Sequence, residues 1–255
     1  MLIIDEATLV PFDAENFKRP QQIMVIGDLF QIALPGSVFE VAAASGMQVF
    51  RLRRNFRASN CDIMTWSNIF SYNNALVVKN RGTRRSELRY VPLGRKQNGI
   101  VRAEAIAIAN AARVAAGNGE SVGIVAFNKK QLKAILDALQ KADAPPIAFM
   151  GLPEEVQGKE ADCVLVSLGA ALTQSGRLPS DIAGLNDDQA IMKMNVALSR
   201  ARSQTIVFSS LQPCDIDLRL ANDAQALIAS VLQTFERLPT QQQMDADPIF
   251  NRSVC

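Results

Sequence analysis

Val156-Gln157-Gly158-Lys159-Glu160-Ala161-Asp162-Cys163-Val164-Leu165-Val166-Ser167 decides the fold. A polar loop runs straight into a short, valine-rich apolar stretch. That is the pattern of a strand buried on both faces of a parallel sheet, with the loop at its start. Downstream, Asn195-Val196-Ala197-Leu198-Ser199-Arg200-Ala201-Arg202 places two arginines after a short amphipathic segment, and residues 204–210 read as another strand. Upstream, residues 104–116 have an alanine-rich helical pattern and 121–127 form an apolar strand. Residues 129–141 make an amphipathic helix and 146–150 a further strand. Alternating strands and helices predict an α/β fold, a parallel sheet flanked by helices.

Composition bounds the chemistry. The 255 residues are 48% hydrophobic and 20% charged, ordinary for a globular protein large enough for a sizeable core. No apolar run approaches the ~20 residues of a membrane span. Met1-Leu2-Ile3-Ile4 meets Asp5 and Glu6 at once and lacks the basic region of a signal peptide. Cys61, Cys163, Cys214 and Cys255 form no Cys-x-x-Cys pair, which fits reduced thiols in a cytoplasm. Histidine is absent, which excludes His-based triads, bases and metal sites. The net charge of +2 is uneven. Between Arg51 and Arg102, twelve Lys/Arg face only Asp62 and Glu87, so this block carries +10 and the remainder −8. Such a block suits a polyanion, nucleic acid or nucleotide phosphate, or else is a solvated arginine-rich loop.

At the amino end, a short strand delivers Asp5 and Glu6 side by side. Adjacent carboxylates there suit metal-nucleotide chemistry, although a helix N-terminus gives the same pattern. Residues 22–26 read as a second strand, followed by Gly27-Asp28-Leu29-Phe30-Gln31. A new unit opens near Val49, followed by Asn55-Phe56-Arg57. Ser59 or Asn60 caps a helix carrying Ile63, Met64, Trp66, Ile69 and Phe70, whose apolar stripe makes Trp66 core rather than a base-stacking platform. Residues 77–99 read as loop with one strand near 88–91, and 173–188 as a polar loop. Residues 222–238 read as a helix and 240–255 as a disordered tail.

Asp5-Glu6-Ala7, Gly27-Asp28-x-x-Gln31, Asn55-Phe56-Arg57, Gln157-Gly158-Lys159-Glu160 and the 195–202 stretch resemble motifs II to VI of superfamily-one helicases. The branch they resemble most is that of the nonsense-mediated-decay helicases and their large bacterial relatives. Phe56 stands where the family has tyrosine. The resemblance covers residues 2–215 and implies RecA-like lobes of the P-loop-NTPase type. These bind ATP and Mg²⁺ between them and single-stranded nucleic acid, DNA or RNA, across the top. It implies Asp5 as the Mg²⁺ ligand, Glu6 as the catalytic carboxylate and Gln31 as the sensor of the terminal phosphate. Arg57 and Arg200 would be arginine fingers, a role suited to a planar, permanently charged fork. Gln157 and Gly158 would form a coupling loop, and Glu160 would lie near the ribose. Arg202, two positions past Arg200 on an expected helix, would point elsewhere, to a structural or nucleic-acid contact.

Implied boundaries are 1–46 for a remnant of the first lobe, 47–215 for the second, and 216–255 for a helix and tail. The departure is the P-loop: no Gly-Lys-Thr or Gly-Lys-Ser occurs in the sequence. Three readings stay open. The first is the C-terminal core of a cytoplasmic ATP-dependent helicase, inactive alone and partnered by an upstream P-loop-containing chain or segment. The second is a non-catalytic nucleic-acid-binding or interaction module. The third is an unrelated α/β enzyme.

Overall fold

The computed structural model describes residues 1–18, 22–82, 86–182 and 184–238. Residues 240–255, read as a disordered tail, and Arg84 and Arg85 of the basic block lie outside the described residues. The chain divides into two compact units, Met1–Arg53 and the remainder from Arg54.

The first unit is built on two short strands, β1 (Leu2–Ile4) and β2 (Ile23–Val25), paired in parallel with Ile3 opposite Met24. Period-two alternation sends Leu2, Ile4, Ile23 and Val25 to one face and Ile3 and Met24 to the other. Ile3 and Met24 are 52% and 50% exposed. Helix α1 (Val38–Ala44) starts at Ser37, whose hydroxyl accepts from the Glu40 amide, and packs on β2. Gly27 follows β2 because a Cβ there would stand 2.4 Å from the Phe39 ring.

In the second unit β3 (Arg54–Asn55) pairs in parallel with β4 (Val77–Val78). Between them a 3-10 turn, Cys61–Met64, runs into α2 (Thr65–Phe70), with the Asn60 side chain accepting from the Asp62 amide. After β5 (Glu87–Tyr90), a hairpin of β6 (Lys96–Gln97) and β7 (Ile100–Val101) leads into α3 (Arg102–Gly117). Then come β8 (Val122–Ala126), α4 (Lys129–Lys141), β9 (Phe149–Gly151), α5 (Pro153–Val156) and β10 (Ala161–Ser167). The chain ends with α6 (Ala190–Leu198), β11 (Ala201–Ser209) and α7 (Asp223–Glu236).

The central sheet has five strands, all parallel, in the order β5-β11-β10-β8-β9. This is the α/β architecture expected from the 156–167 stretch. Every residue of β8 is buried, as are 163–167 of β10, the signature of strands covered on both sides. Helices α3 and α4 cover one face over Ile108, Ile124, Ile135, Leu165 and Phe208. On the other, α5 packs on β8, α6 on β10 and α7 on β5, with α2 against α6 and α7. Trp66 is 1% exposed, stacks on Phe70 and donates its indole N–H to Ser230, 2.9 Å away, so it is core as its spacing indicated. Ile69 and Phe70 remain exposed, so the stripe on α2 is only partly used.

One local reading is corrected. Arg200 and Arg202 are not on a helix: α6 stops at Leu198 and the chain is extended from Ala201. β11 begins in register with β10, Ala201 opposite Ala161, and that pairing overrides the helical continuation. Among the described residues, no helix is long and apolar enough to cross a membrane. Cys163 is buried and Cys214 exposed, neither in a disulfide.

Candidate functional site

In the first unit both motif loops leave the carboxyl ends of the paired strands. The backbone crosses between them there, Ile26 N–H to Ile4 C=O at 2.8 Å and Ala7 N–H to Ile26 C=O at 2.9 Å. Asp5 and Glu6 are exposed, and the Asp5 carboxylate accepts from the Glu6 amide at 2.8 Å. Glu6 has φ of 48°, in the left-handed region that non-glycine residues seldom occupy. On the neighbouring loop Asp28 is the organiser. Its carboxylate accepts from the Phe30 amide at 3.0 Å and from the Gln31 side chain at 2.9 Å. Asp5, Glu6 and Gln31 therefore belong to adjacent strand ends of one small sheet.

In the second unit a charged cluster lies where the strands of the large sheet begin. Residues Val156 to Lys159 close a turn, Lys159 N–H to Val156 C=O at 3.0 Å, with Gln157 at φ −58°, ψ 135° and Gly158 at φ 82°. Those angles are a type II turn, whose third position requires a positive φ. Nothing stands within 4 Å of a Cβ built on Gly158, so its conformation and not crowding selects glycine. The turn delivers Glu160 to the start of β10.

The Glu160 carboxylate is shared by two arginines, Arg57 Nε on one oxygen at 3.0 Å and Arg202 Nη1 on the other at 3.0 Å. Arg57 also donates to the Ser199 carbonyl at 3.3 Å, across 142 positions of sequence. Arg202 is held more fully. Its Nε meets Asp162 at 3.0 Å and its Nη2 meets the Ser121 hydroxyl at 3.2 Å. Its carbonyl accepts from the Ser59 amide at 2.7 Å, tying the Arg57 segment to β11. Arg200 is 1% exposed, with Nη2 3.4 Å from the Ser199 hydroxyl.

The Arg57 hydrogen bond, reinforced by Arg202, holds Glu160 below the usual carboxylate range against the opposing effect of partial burial. Ser121, chiefly through its hydroxyl, does the same for Asp162. Arg202 is raised, first by Asp162. These side chains stay partly exposed, so each pair contributes only about 0–1 kcal/mol.

A second feature lies at the opposite, carboxyl edge of the same sheet. After β8 the chain crosses on the α4 face to β9, and after β10 on the α6 face to β11, so the winding reverses between β8 and β10. Ligands of open α/β sheets bind outside the strand ends at such a reversal. Here a cleft of about 500 Å³ is lined by Lys96, Gly99, Asn128, Lys129, Lys130, Pro179 and Asp181. Asn128 caps α4, accepting from the Gln131 amide, so the positive end of a 13-residue helix and its first two lysines face one space. Partial burial lowers the Lys96 pKa, opposed by Asp181.

Beneath this edge sits Glu104, fully buried on α3. One carboxylate oxygen accepts from the Ser167 hydroxyl at 2.7 Å and the Gly169 amide at 2.9 Å, the other from the Ser210 amide at 3.0 Å. Burial pushes its pKa up to about 7 in spite of those bonds.

The structure thus brings Arg57, Glu160 and the Ser199-Arg200 backbone together at the strand starts, with Gln157 and Gly158 in the turn before them. Asp5, Glu6 and Gln31 lie in the first unit. Sequence reasoning missed Asp162 and Ser121 as the anchors of Arg202, and also Lys129, Lys130 and Glu104. Asn-Lys-Lys directly after a buried strand was a usable signal for the cleft; Glu104 looked like any first-turn acid.

Among the described residues no three acidic, cysteine or histidine side chains group to hold a metal ion. Asp5 and Glu6 could supply one or two carboxylate ligands. That number fits Mg²⁺ bridged to nucleotide phosphates better than a metal caged by protein alone.

Residues 98–212 match a family described as an AAA domain. No curated protein matches the sequence. Among solved structures, the C-terminal domain of a possible DNA helicase from Lactobacillus plantarum WCFS1 is similar at 14% identity and a TM-score of 0.41, covering 67% of this chain and 97% of that one. The arterivirus nonstructural protein 10 helicase is similar at 13% identity and a TM-score of 0.40, over 81% of this chain and 38% of that one. Its complex with DNA gives 13% identity and a TM-score of 0.36, over 74% and 34%. The chain thus spans little more than a third of the viral helicase.

Proposed function

We propose that this chain is the C-terminal core of a cytoplasmic ATP-dependent helicase acting on single-stranded DNA or RNA. The observation that carries the reading is the convergence at the strand starts: Arg57 meets Glu160 and the Ser199 carbonyl although the three come from separate motifs. Arg57 and Arg200 are the phosphate-facing arginines, Gln157 and Gly158 the loop that sets Glu160, and Glu160 the acid near the ribose. Asp5 takes the metal, Glu6 polarises the attacking water and Gln31 reads the terminal phosphate. Mg²⁺, when bound with ATP, neutralises phosphate charge. The sequence has no Gly-Lys-Thr or Gly-Lys-Ser, so another chain or segment holds the β- and γ-phosphates. The nucleic-acid strand runs over the lysine-lined cleft at the carboxyl edge, where the α4 N-terminus and three lysines suit a phosphodiester backbone.

A second reading, a non-catalytic nucleic-acid-binding module, is favoured by two facts: Arg200 is buried and Arg57 already has a carboxylate partner. Mixing the chain with a P-loop-containing first lobe separates the two. The helicase reading expects strand-stimulated ATP hydrolysis that is lost in Arg57→Ala. Strand binding by the mixture without hydrolysis overturns it in favour of the module.

A further inference from the structure

Glu160 faces two arginines that are unequally held. Arg202 is fixed at Asp162, at the Ser121 hydroxyl and, through its backbone, at Ser59. Among the described residues, Arg57 has Glu160 and one long contact to a carbonyl. If the carboxylate lets go of one partner, Arg202 keeps three other contacts and Arg57 keeps only the 3.3 Å contact to the Ser199 carbonyl. Glu160 is in effect a fixed anion, positioned by Arg202 and the Gln157-Gly158 turn, at the face of Arg57 where an incoming anion would bind. We propose that Glu160 determines the specificity of the Arg57 anion site: it occupies the guanidinium as a counter-ion latch that only a multiply charged phosphoryl group displaces.

This rests on the assignment of Arg57 to phosphate. A monovalent anion offers Arg57 no more than the carboxylate already in place, and it has no gain with which to meet the lost contact. A terminal phosphoryl or pyrophosphoryl group carries more charge and can engage the planar fork at two nitrogens. The latch therefore keeps Arg57 silent toward chloride and carboxylates and answers to nucleotide phosphates. It also accounts for an arginine finger that is already paired in the free chain.

Calorimetric titration of inorganic pyrophosphate into the full chain tests this with four proteins: wild type, Glu160→Gln, Arg57→Ala and the double variant. Glu160→Gln is expected to bind pyrophosphate about two- to fivefold tighter, the exchange value of one partly exposed ion pair. The gain should vanish on the Arg57→Ala background, since a gain from lowered general charge would survive there. Glu160→Gln should also become sensitive to chloride where wild type is not. Wild-type binding that needs Arg57, with no gain in Glu160→Gln, overturns the latch and leaves the phosphate assignment standing. Binding that ignores Arg57 in both proteins overturns the assignment and the latch together. Should Glu160→Gln fail to fold, arginine Nε–H spectra of wild type decide. Pyrophosphate must move the Arg57 signal and spare Arg202; both moving, or neither, sinks the proposal.

Discussion

Replacing Glu104 by glutamine should remove a loss of stability that sets in as pH rises toward neutrality. The carboxyl is fully buried, and burial pushes its pKa up to about 7 from the ordinary 4.5. A raised folded pKa means that the native state binds a proton the unfolded chain has already lost. Stability from this group is therefore complete below pH 4.5 and is lost as pH rises through 7. The full difference is about 3 kcal/mol, most of it falling between pH ~5 and pH ~8.5. Glutamine does not titrate, so its variant lacks this slope. Other groups cancel in the comparison: Lys96, lowered by burial, and Glu160 and Asp162, lowered by their partners, are common to both proteins. Urea unfolding followed by the fluorescence of Trp66, the sole tryptophan and a core residue, supplies the midpoints. Wild type should lose about 2–3 kcal/mol relative to Glu104→Gln across that interval. A pH-independent difference would refute the reasoning, because it would mean that Glu104 titrates alike in both states. A difference growing toward low pH would mean that the hydrogen bonds from Ser167, Gly169 and Ser210 outweigh burial.

Three further outcomes are expected. Gly158→Ala should cost about 1 kcal/mol, since a Cβ there meets nothing and only the positive φ is strained; thermal unfolding reads it, and an unchanged midpoint would refute a type II turn. Alone, the chain should bind ATP weakly and not turn it over; micromolar affinity by calorimetry, or steady hydrolysis lost in Glu6→Gln, counts against this. Amide hydrogen exchange should be fast over residues 1–35 and slow in β8 and β10, because Ile3 and Met24 stay half exposed while the large sheet is covered on both faces. Equal protection in the two regions would show a core in the first unit that its burial does not reveal.

The architecture was legible because the central strands are buried on both faces and are therefore valine-rich and uninterrupted, as in Val164-Leu165-Val166. Lys129–Lys141 was readable as a helix from its amphipathic period. What failed had tertiary causes. Arg200-Ala201-Arg202 continues a helical pattern, yet pairing of Ala201 with Ala161 makes it a strand start. The two-residue strands β3 and β4 carry too few positions for any period to show.

Motif spacing named Arg57, Glu160 and Arg200 and could not tell that the first two are paired or that the third is buried. Whether a guanidinium is free or compensated depends on a residue 103 positions away, as Glu160 is from Arg57. The same limit hides Glu104. In sequence it is a favourable first-turn acid, and only burial in the fold, against the hydrogen bonds from Ser167, Gly169 and Ser210, raises its pKa to about 7. The two edges of the sheet thus carry opposite solutions for burying charge. At the strand starts, arginines and carboxylates compensate one another where solvent still reaches, so the pairs are weak and exchangeable. At the strand ends, one acid is sealed among neutral donors, so its charge costs most and its protonation follows pH. Exchangeable pairing suits the proposed trade of a protein carboxylate for a phosphate. The sealed acid suits an edge that must hold three chain segments fixed beneath a cleft.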